Sequence, residues 1–292
     1  AWMCAFSWPR ERSGTTNGAI QNTISNVLLR NRYTYLPVLA GILLLQFLAS
    51  CTHTGDPPFQ YLHGAIVRGE TSRQELALVF TGDEFADGGT HIVRVLSQQD
   101  IKASFFLTGK FYRNPDFTDL LHTLAEKGHY LGAHSDQHLL YCSWEDRDSL
   151  LITQDEYKQD LLENYRAMEA FGVQREDAVF FLPPFEWYND SIASWTNDLG
   201  LVLVNYTSGT LSHTDYTLPG SRAYRSSSEI YDSILDYEAS SKAGLSGFIL
   251  LVHIGTAPER TDKFYLHLDK LIPELKERGY VFKPIDELLS HY

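Results

Sequence analysis

The amino-acid sequence predicts an α/β fold with a parallel sheet, closed into a barrel or a near-barrel. Two observations lead there. Short apolar runs, bounded by charged residues or glycine, alternate with segments whose apolar residues recur at helical spacing, which is the rhythm of strand–helix–strand units. The alternation also continues from about Ala65 to the end of the chain. That is about 228 residues, enough to bury the core of a single domain.

The elements follow in order. Residues 76–81 (LALVFT) form a buried strand that stops at Gly82. Residues 91–99 form a helix and 103–107 (ASFFL) a second buried strand. Residues 119–127 are helical and stop at Gly128, and 130–133 form a third strand that runs into His134. Over 154–171 the residues Tyr157, Leu161, Leu162, Tyr165, Met168 and Phe171 recur at helical spacing, and Gly172 closes the helix. Strand 179–182 is halted by Pro183-Pro184. A helix over 191–199 ends at Gly200, then come strand 201–204 and helix 229–240. Residues 247–253 (GFILLVH) are the most apolar strand, 264–278 the last helix and 280–284 a final strand.

The first fifty residues have another character. Arg30 and Arg32 precede an uncharged stretch, 36–48, that ends in Leu48-Ala49-Ser50-Cys51. A basic start, a short apolar core and small residues describe a secretory signal, and the core is shorter than the ~20 residues a membrane span needs. The tetrapeptide resembles the bacterial lipoprotein cleavage box. That resemblance implies lipidation of Cys51 and an exported protein anchored to a membrane, periplasmic or at the outer membrane and cell surface. Residues 1–51 are therefore expected to be an extension and signal peptide, 52–64 a tether, and 65–292 the functional domain.

The net charge of −13 becomes more negative once the four arginines and one glutamate of residues 1–50 are set aside. Such a surface repels nucleic acid and anionic head groups, so neither is an expected partner. Of Cys4, Cys51 and Cys142, only Cys142 remains as a thiol after lipidation. No disulfide framework is then available within the domain.

Polar and aromatic residues gather where the strands end: Asp83-Glu84 after the first, His134-Ser135-Asp136-Gln137-His138 after the third, Phe185-Glu186-Trp187-Tyr188 after the fourth, and His253 at the end of the apolar strand. In barrels, active residues lie at those ends. His134 and His138 are spaced to put two imidazoles on one face of a turn, as metal ligands or as solvated loop histidines. Asp83 and Glu84 suit a ligand and a base, or a solvated acidic turn; Asp87 is a further candidate. His253 reads as a general acid or as a satisfied core histidine. Phe185, Trp187 and Tyr188 suit stacking on a sugar ring, and equally a core.

Taken in order, these segments resemble the motifs of the polysaccharide deacetylase family with a NodB-type domain, over about residues 76–289. Thr81-Gly82-Asp83-Glu84 resembles Thr-Phe-Asp-Asp, and His134 to His138 match His-Ser/Thr-x-x-His. Pro183-Pro184-Phe185 with Asn189, Asp215-Tyr216, and Leu251-Val252-His253 supply the rest. The resemblance implies a distorted (β/α) barrel and metal-assisted removal of acetyl groups from a glycan. Glu84, His134 and His138 would hold a divalent ion, Zn²⁺ first, with Co²⁺ or Ni²⁺ as alternatives. Asp83 would be the base, the Phe185 N–H an oxyanion donor and His253 the acid, with Phe185, Glu186, Trp187 and Tyr188 contacting the acetylated glycan. Three positions depart from the family: Glu84 replaces an aspartate, Leu182 an arginine that steadies the base, and Glu186 a glycine. These departures also permit a non-catalytic carbohydrate-binding lipoprotein.

Overall fold

The computed structural model describes residues 58–290 and Tyr292. The expected signal segment, Cys51 and the first part of the expected tether lie outside the described residues. Among those described, the strands are β1 (Gln60–Leu62), β2 (Ala65–Arg68), β3 (Glu75–Gly82), β4 (Ser104–Leu107), β5 (Tyr130–Ala133), β6 (Phe180–Phe181), β7 (Val202–Leu203), β8 (Phe248–His253) and β9 (Val281–Phe282). They form one sheet in the order β1-β2-β8-β3-β4-β5-β6-β7, with β9 beside the start of β3.

The inner run of the sheet, from β8 across β3 to β7, is parallel. The part not foreseen is the start. Residues 60–64, expected as tether, make β1 and a tight turn through His63 (φ 45°) and Gly64 (φ 80°). β1 lies antiparallel to β2, and β2 antiparallel to β8. Strands of three and four residues are too short to register as hydrophobic periodicity. The sheet then curls round on itself. Ile66 bridges Val204, and the Asn205 N–H donates to the Ile66 carbonyl at 2.9 Å. The result is a distorted (β/α) barrel.

Strand pleating divides the core in two. Leu76, Leu78 and Phe80 of β3 join a cluster with Ile92, Leu121 and Leu161 from the surrounding helices. Their neighbours Ala77 and Val79 face the other way, into a cluster with Phe106, Tyr130, Ile249, Leu251 and Leu288. This second cluster fills the barrel, and a short helix, Ile285–Leu288, contributes to it.

Helix positions follow from local signals. Gly89–Gln98 (α1), Thr118–Glu126 (α3), Gln154–Glu169 (α4), Asp190–Asp198 (α5) and Ser227–Ser240 (α6) lie within two residues of expectation at most boundaries. Thr153 and Glu156 form a capping box at the start of α4, as Ser226 and Glu229 do for α6. The short α2 (Gly109–Arg113) was not expected; five residues are too few for a periodic signal. The last helix begins as a 3₁₀ turn, Phe264–His267, before α7 (Leu268–Glu277).

Register fixes where the site lies. Gly82 pairs with Leu107, Leu107 with Ala133, Ala133 with Phe181, Phe181 with Leu203, and Thr81 with His253. The parallel strands therefore end level, and the chain leaving each of them emerges at one rim.

Candidate active site

Asp83 follows β3 directly. Gly82 precedes it because nothing larger fits: an added Cβ would lie 2.6 Å from Ile254 and 2.9 Å from Leu107. Both Asp83 oxygens are engaged. Thr108 Oγ1 donates to Oδ1 at 2.9 Å and Lys110 Nζ to Oδ2 at 3.0 Å. Glu84, one residue on, is exposed, and the structure does not bring it to the histidines.

His134 leaves β5 into the interior, 2 % exposed. Its backbone N–H donates to Asn164 Oδ1 of α4 at 2.8 Å, and its Nδ1 lies 2.8 Å from the Leu182 carbonyl. A carbonyl only accepts, so Nδ1 carries the proton and Nε2 keeps its lone pair. The loop returns sharply, with Ser135 at φ 73° and His138 at φ 57°. Asp160 accepts the Gln137 N–H at 3.0 Å and Tyr141 OH at 3.1 Å, which pins the loop to α4. The two rings lie 5.1 Å apart. Burial, reinforced by His138, holds His134 well below the usual imidazole range. Burial and the nearby Lys110 and His253 charges outweigh Asp83 and bring His138 down to about 4. Both imidazoles are neutral at neutral pH, the state a metal ligand requires. The pair fits a divalent ion. Among the described residues, however, no three His, Cys, Asp or Glu side chains converge as a ligand set.

His253 closes the opposite side. Its Nδ1 lies 2.6 Å from Asp215 Oδ1, and its backbone N–H donates to Asp215 Oδ2 at 3.0 Å. Burial disfavours the imidazolium, but the Asp215 carboxylate overcomes it, and the His253 pKa is raised. Asp215, left without a role by sequence alone, thus orients His253. The Tyr216 ring lies 4.8 Å from the imidazole. The other acidic candidate, Asp87, is a latch. It accepts from the Thr256 N–H, Tyr265 OH and Lys263 Nζ, each at 2.8 Å, and ties the loop after β3 to the loop after β8.

The aromatic residues split. Phe185 is exposed and its ring lies 4.4 Å from that of His138. Trp187 donates through Nε1 to the Ser143 carbonyl at 3.1 Å, beneath the Arg147 guanidinium at 3.4 Å. Tyr188, expected at the glycan, is buried instead. Its hydroxyl donates to the Leu62 carbonyl at 3.0 Å, so it supports the rim from below. Sequence reasoning missed Trp144, which is 55 % exposed and 5.2 Å from Trp187. A lone tryptophan in the polar run Ser143–Asp148 was the available signal. Glu186 and Trp187, with Arg147, Asn205 and Tyr206, line a cavity of about 140 Å³. A larger cavity, about 450 Å³, lies along the β2–β7 seam beside Asn197 and Tyr292, away from these groups.

Residues 68–204 match the family described as polysaccharide deacetylase. A peptidoglycan-N-acetylglucosamine deacetylase of Bacillus cereus is 26% identical over 225 residues, 76% of this chain and 92% of its own. The structure of PdaA from Bacillus subtilis, a family 4 carbohydrate esterase, is similar with a TM-score of 0.61 at 23% identity, covering 78% of this chain and 86% of that one. A CE4 family pseudoenzyme from Bacillus anthracis is similar with a TM-score of 0.60 at 20% identity, covering 78% and 70%. At these identities the two structures establish the likeness of fold.

Proposed function

Since this chain belongs to the polysaccharide deacetylase family, we propose that it is a metal-dependent hydrolase that removes acetyl groups from glycans, the N-acetyl groups of N-acetylglucosamine units first among them. The supporting observation is the meeting, at one rim, of a held carboxylate (Asp83), two neutral imidazoles (His134, His138) and an imidazole oriented by a buried aspartate (His253 on Asp215). Proton donor and acceptor are separate groups, as acyl transfer from an amide requires.

In this reading His134 and His138 would hold a divalent ion, Zn²⁺ or alternatively Co²⁺ or Ni²⁺; Glu84, the third ligand that the resemblance implies, is exposed away from them, so the two imidazoles are the ligands this structure supplies. When bound, the ion would supply Lewis acidity to the acetyl carbonyl and to the attacking water. Asp83 takes the proton from the attacking water as its oxygen bonds to the acetyl carbon. The Phe185 N–H receives the charge that develops on the carbonyl oxygen. His253, protonated, gives its proton to the sugar nitrogen as the C–N bond breaks, and acetate and a free amine leave. Phe185 and Trp187 receive the sugar face.

A second reading, a non-catalytic carbohydrate-binding protein, is favoured by one observation, the exposure of Glu84 away from the histidines. Acetate release separates the two. Protein loaded with zinc is expected to release acetate from N-acetylated chito-oligosaccharides or peptidoglycan, and to stop when a chelator is added. His134→Ala is expected to lose both the metal and the activity. Absence of acetate from every glycan, acetylated xylan included, would leave the binding reading standing.

A further inference from the structure

Lys110 stands on the Asp83 carboxylate through a chain of backbone contacts. Its Nζ lies 3.0 Å from Oδ2 while Thr108 holds Oδ1, so the carboxylate plane is gripped from both ends. Thr108 is buried and caps α2, accepting the Phe111 N–H at 3.1 Å. The Gly109 N–H donates to the Ser135 carbonyl at 3.1 Å, and the Lys110 N–H to the Asp136 carbonyl at 3.2 Å. Gly109 leaves no space for a Cβ, which would collide with the Asp136 carboxylate. Arg113, at the end of the same helix, pairs with that carboxylate through Nη2–Oδ2 at 2.9 Å. One short helix is thus clamped to the loop that carries both histidines, and its lysine points back to the acid on the neighbouring strand. Among the described residues Lys110 is the lysine or arginine within ion-pair distance of Asp83. The end of β6 offers no cation in its place, because Leu182 is apolar and fully buried.

We propose that Lys110 is the positioning residue for the base Asp83. It fixes the carboxylate, with Thr108, so that one lone pair faces the reacting water. The proposal rests on the deacetylase reading given above. A charge-assisted bond from an ammonium is strong enough to hold a rotamer. Misplacement of a catalytic group by about 1 Å costs about 100-fold in rate.

The test uses the full chain, zinc-loaded, with N-acetylated chito-oligosaccharides. Lys110→Met is expected to lower kcat about 10- to 100-fold with KM within about threefold, and Lys110→Arg to recover most of the loss. An arm independent of turnover uses lysines reductively methylated with ¹³C, which keep their charge. The Lys110 resonance, assigned by its loss in Lys110→Arg, is expected to move in Asp83→Asn and to stay in Glu84→Gln. An active wild type with full kcat in Lys110→Met overturns the positioning role, as does a resonance that ignores Asp83→Asn. A wild type inactive on every glycan sinks the deacetylase reading, while the resonance still reports on the ion pair.

Discussion

Glu186 is unusual in backbone and side chain together. It sits at φ 53° directly after Phe185 at φ 58°. Two successive left-handed residues without glycine cost about 1–2 kcal/mol each, and Glu186 stands where the resemblance implies a glycine. The Asn205 side chain holds the turn by donating to the Glu186 carbonyl at 2.9 Å. The carboxyl is pushed up to about 7, by burial first, with Asp215 adding to the rise and His253 opposing it. A carboxyl whose pKa is higher in the folded state binds its proton more tightly there than in the unfolded chain. Its contribution to stability is therefore fully present below about pH 4.5 and is lost as pH rises to about 7. Glu186→Gln removes the charge but keeps the shape. The variant is expected to be more stable than the wild type at pH 8 by about 2 kcal/mol, with the gap closing toward pH 5. Urea unfolding at the two pH values measures this, and equal midpoints at pH 8 would show that Glu186 is not strained by its charge.

The segment between α4 and the histidine loop works as one element. Trp187 is fixed by Ser143 and Arg147, Asn189 Nδ2 donates to the Arg147 carbonyl at 3.0 Å, and Trp144 leans on this frame from the solvent side. An exposed aromatic on a braced frame suits, in the proposed reaction, the apolar face of a pyranose beyond the sugar that loses its acetyl group. Trp144→Ala is expected to raise KM for a chito-tetramer or longer by about fivefold, the worth of about 1 kcal/mol of stacking. The monosaccharide and the melting temperature should be unaffected, since Trp144 is 55 % exposed. Loss of kcat on all lengths would place Trp144 in the chemistry instead. The same region marks how far the sequence could be read. The long helices, the buried strands and both histidines were legible, because periodicity and strand-end position are local properties. Asp215 was visible as a motif but not as the partner of His253, since 38 residues separate them and only the barrel brings them together. Trp144 and Lys110 carried no periodic signal at all, and the exposure of Glu84 depends on the path of the loop.

The molecule as a whole depends on a seam. Parallel strands β3 to β8 make most of the barrel, but closure falls to β2, which is four residues long and meets Val204, just past the end of β7, through a single bridge. Such a seam is weak in ladder hydrogen bonds, so it depends on how firmly β2 is placed, and Arg68 fixes β2 from the β8 side. Its guanidinium is buried and donates to the Ser246 carbonyl at 2.9 Å, the Gly244 carbonyl at 2.8 Å and Tyr237 OH at 2.9 Å. These bonds bind β2 to the turn that launches β8, the strand carrying His253. Arg68→Met keeps the packing stem but leaves two carbonyls and a hydroxyl without their donor. Stability is expected to fall by about 3 kcal/mol. Hydrogen exchange should rise first along 66–68 and 202–204, where the barrel meets itself, before it rises in β3 or β4 at the centre of the sheet. If exchange rises uniformly instead, the barrel opens as a single unit and the seam is no weaker than the rest.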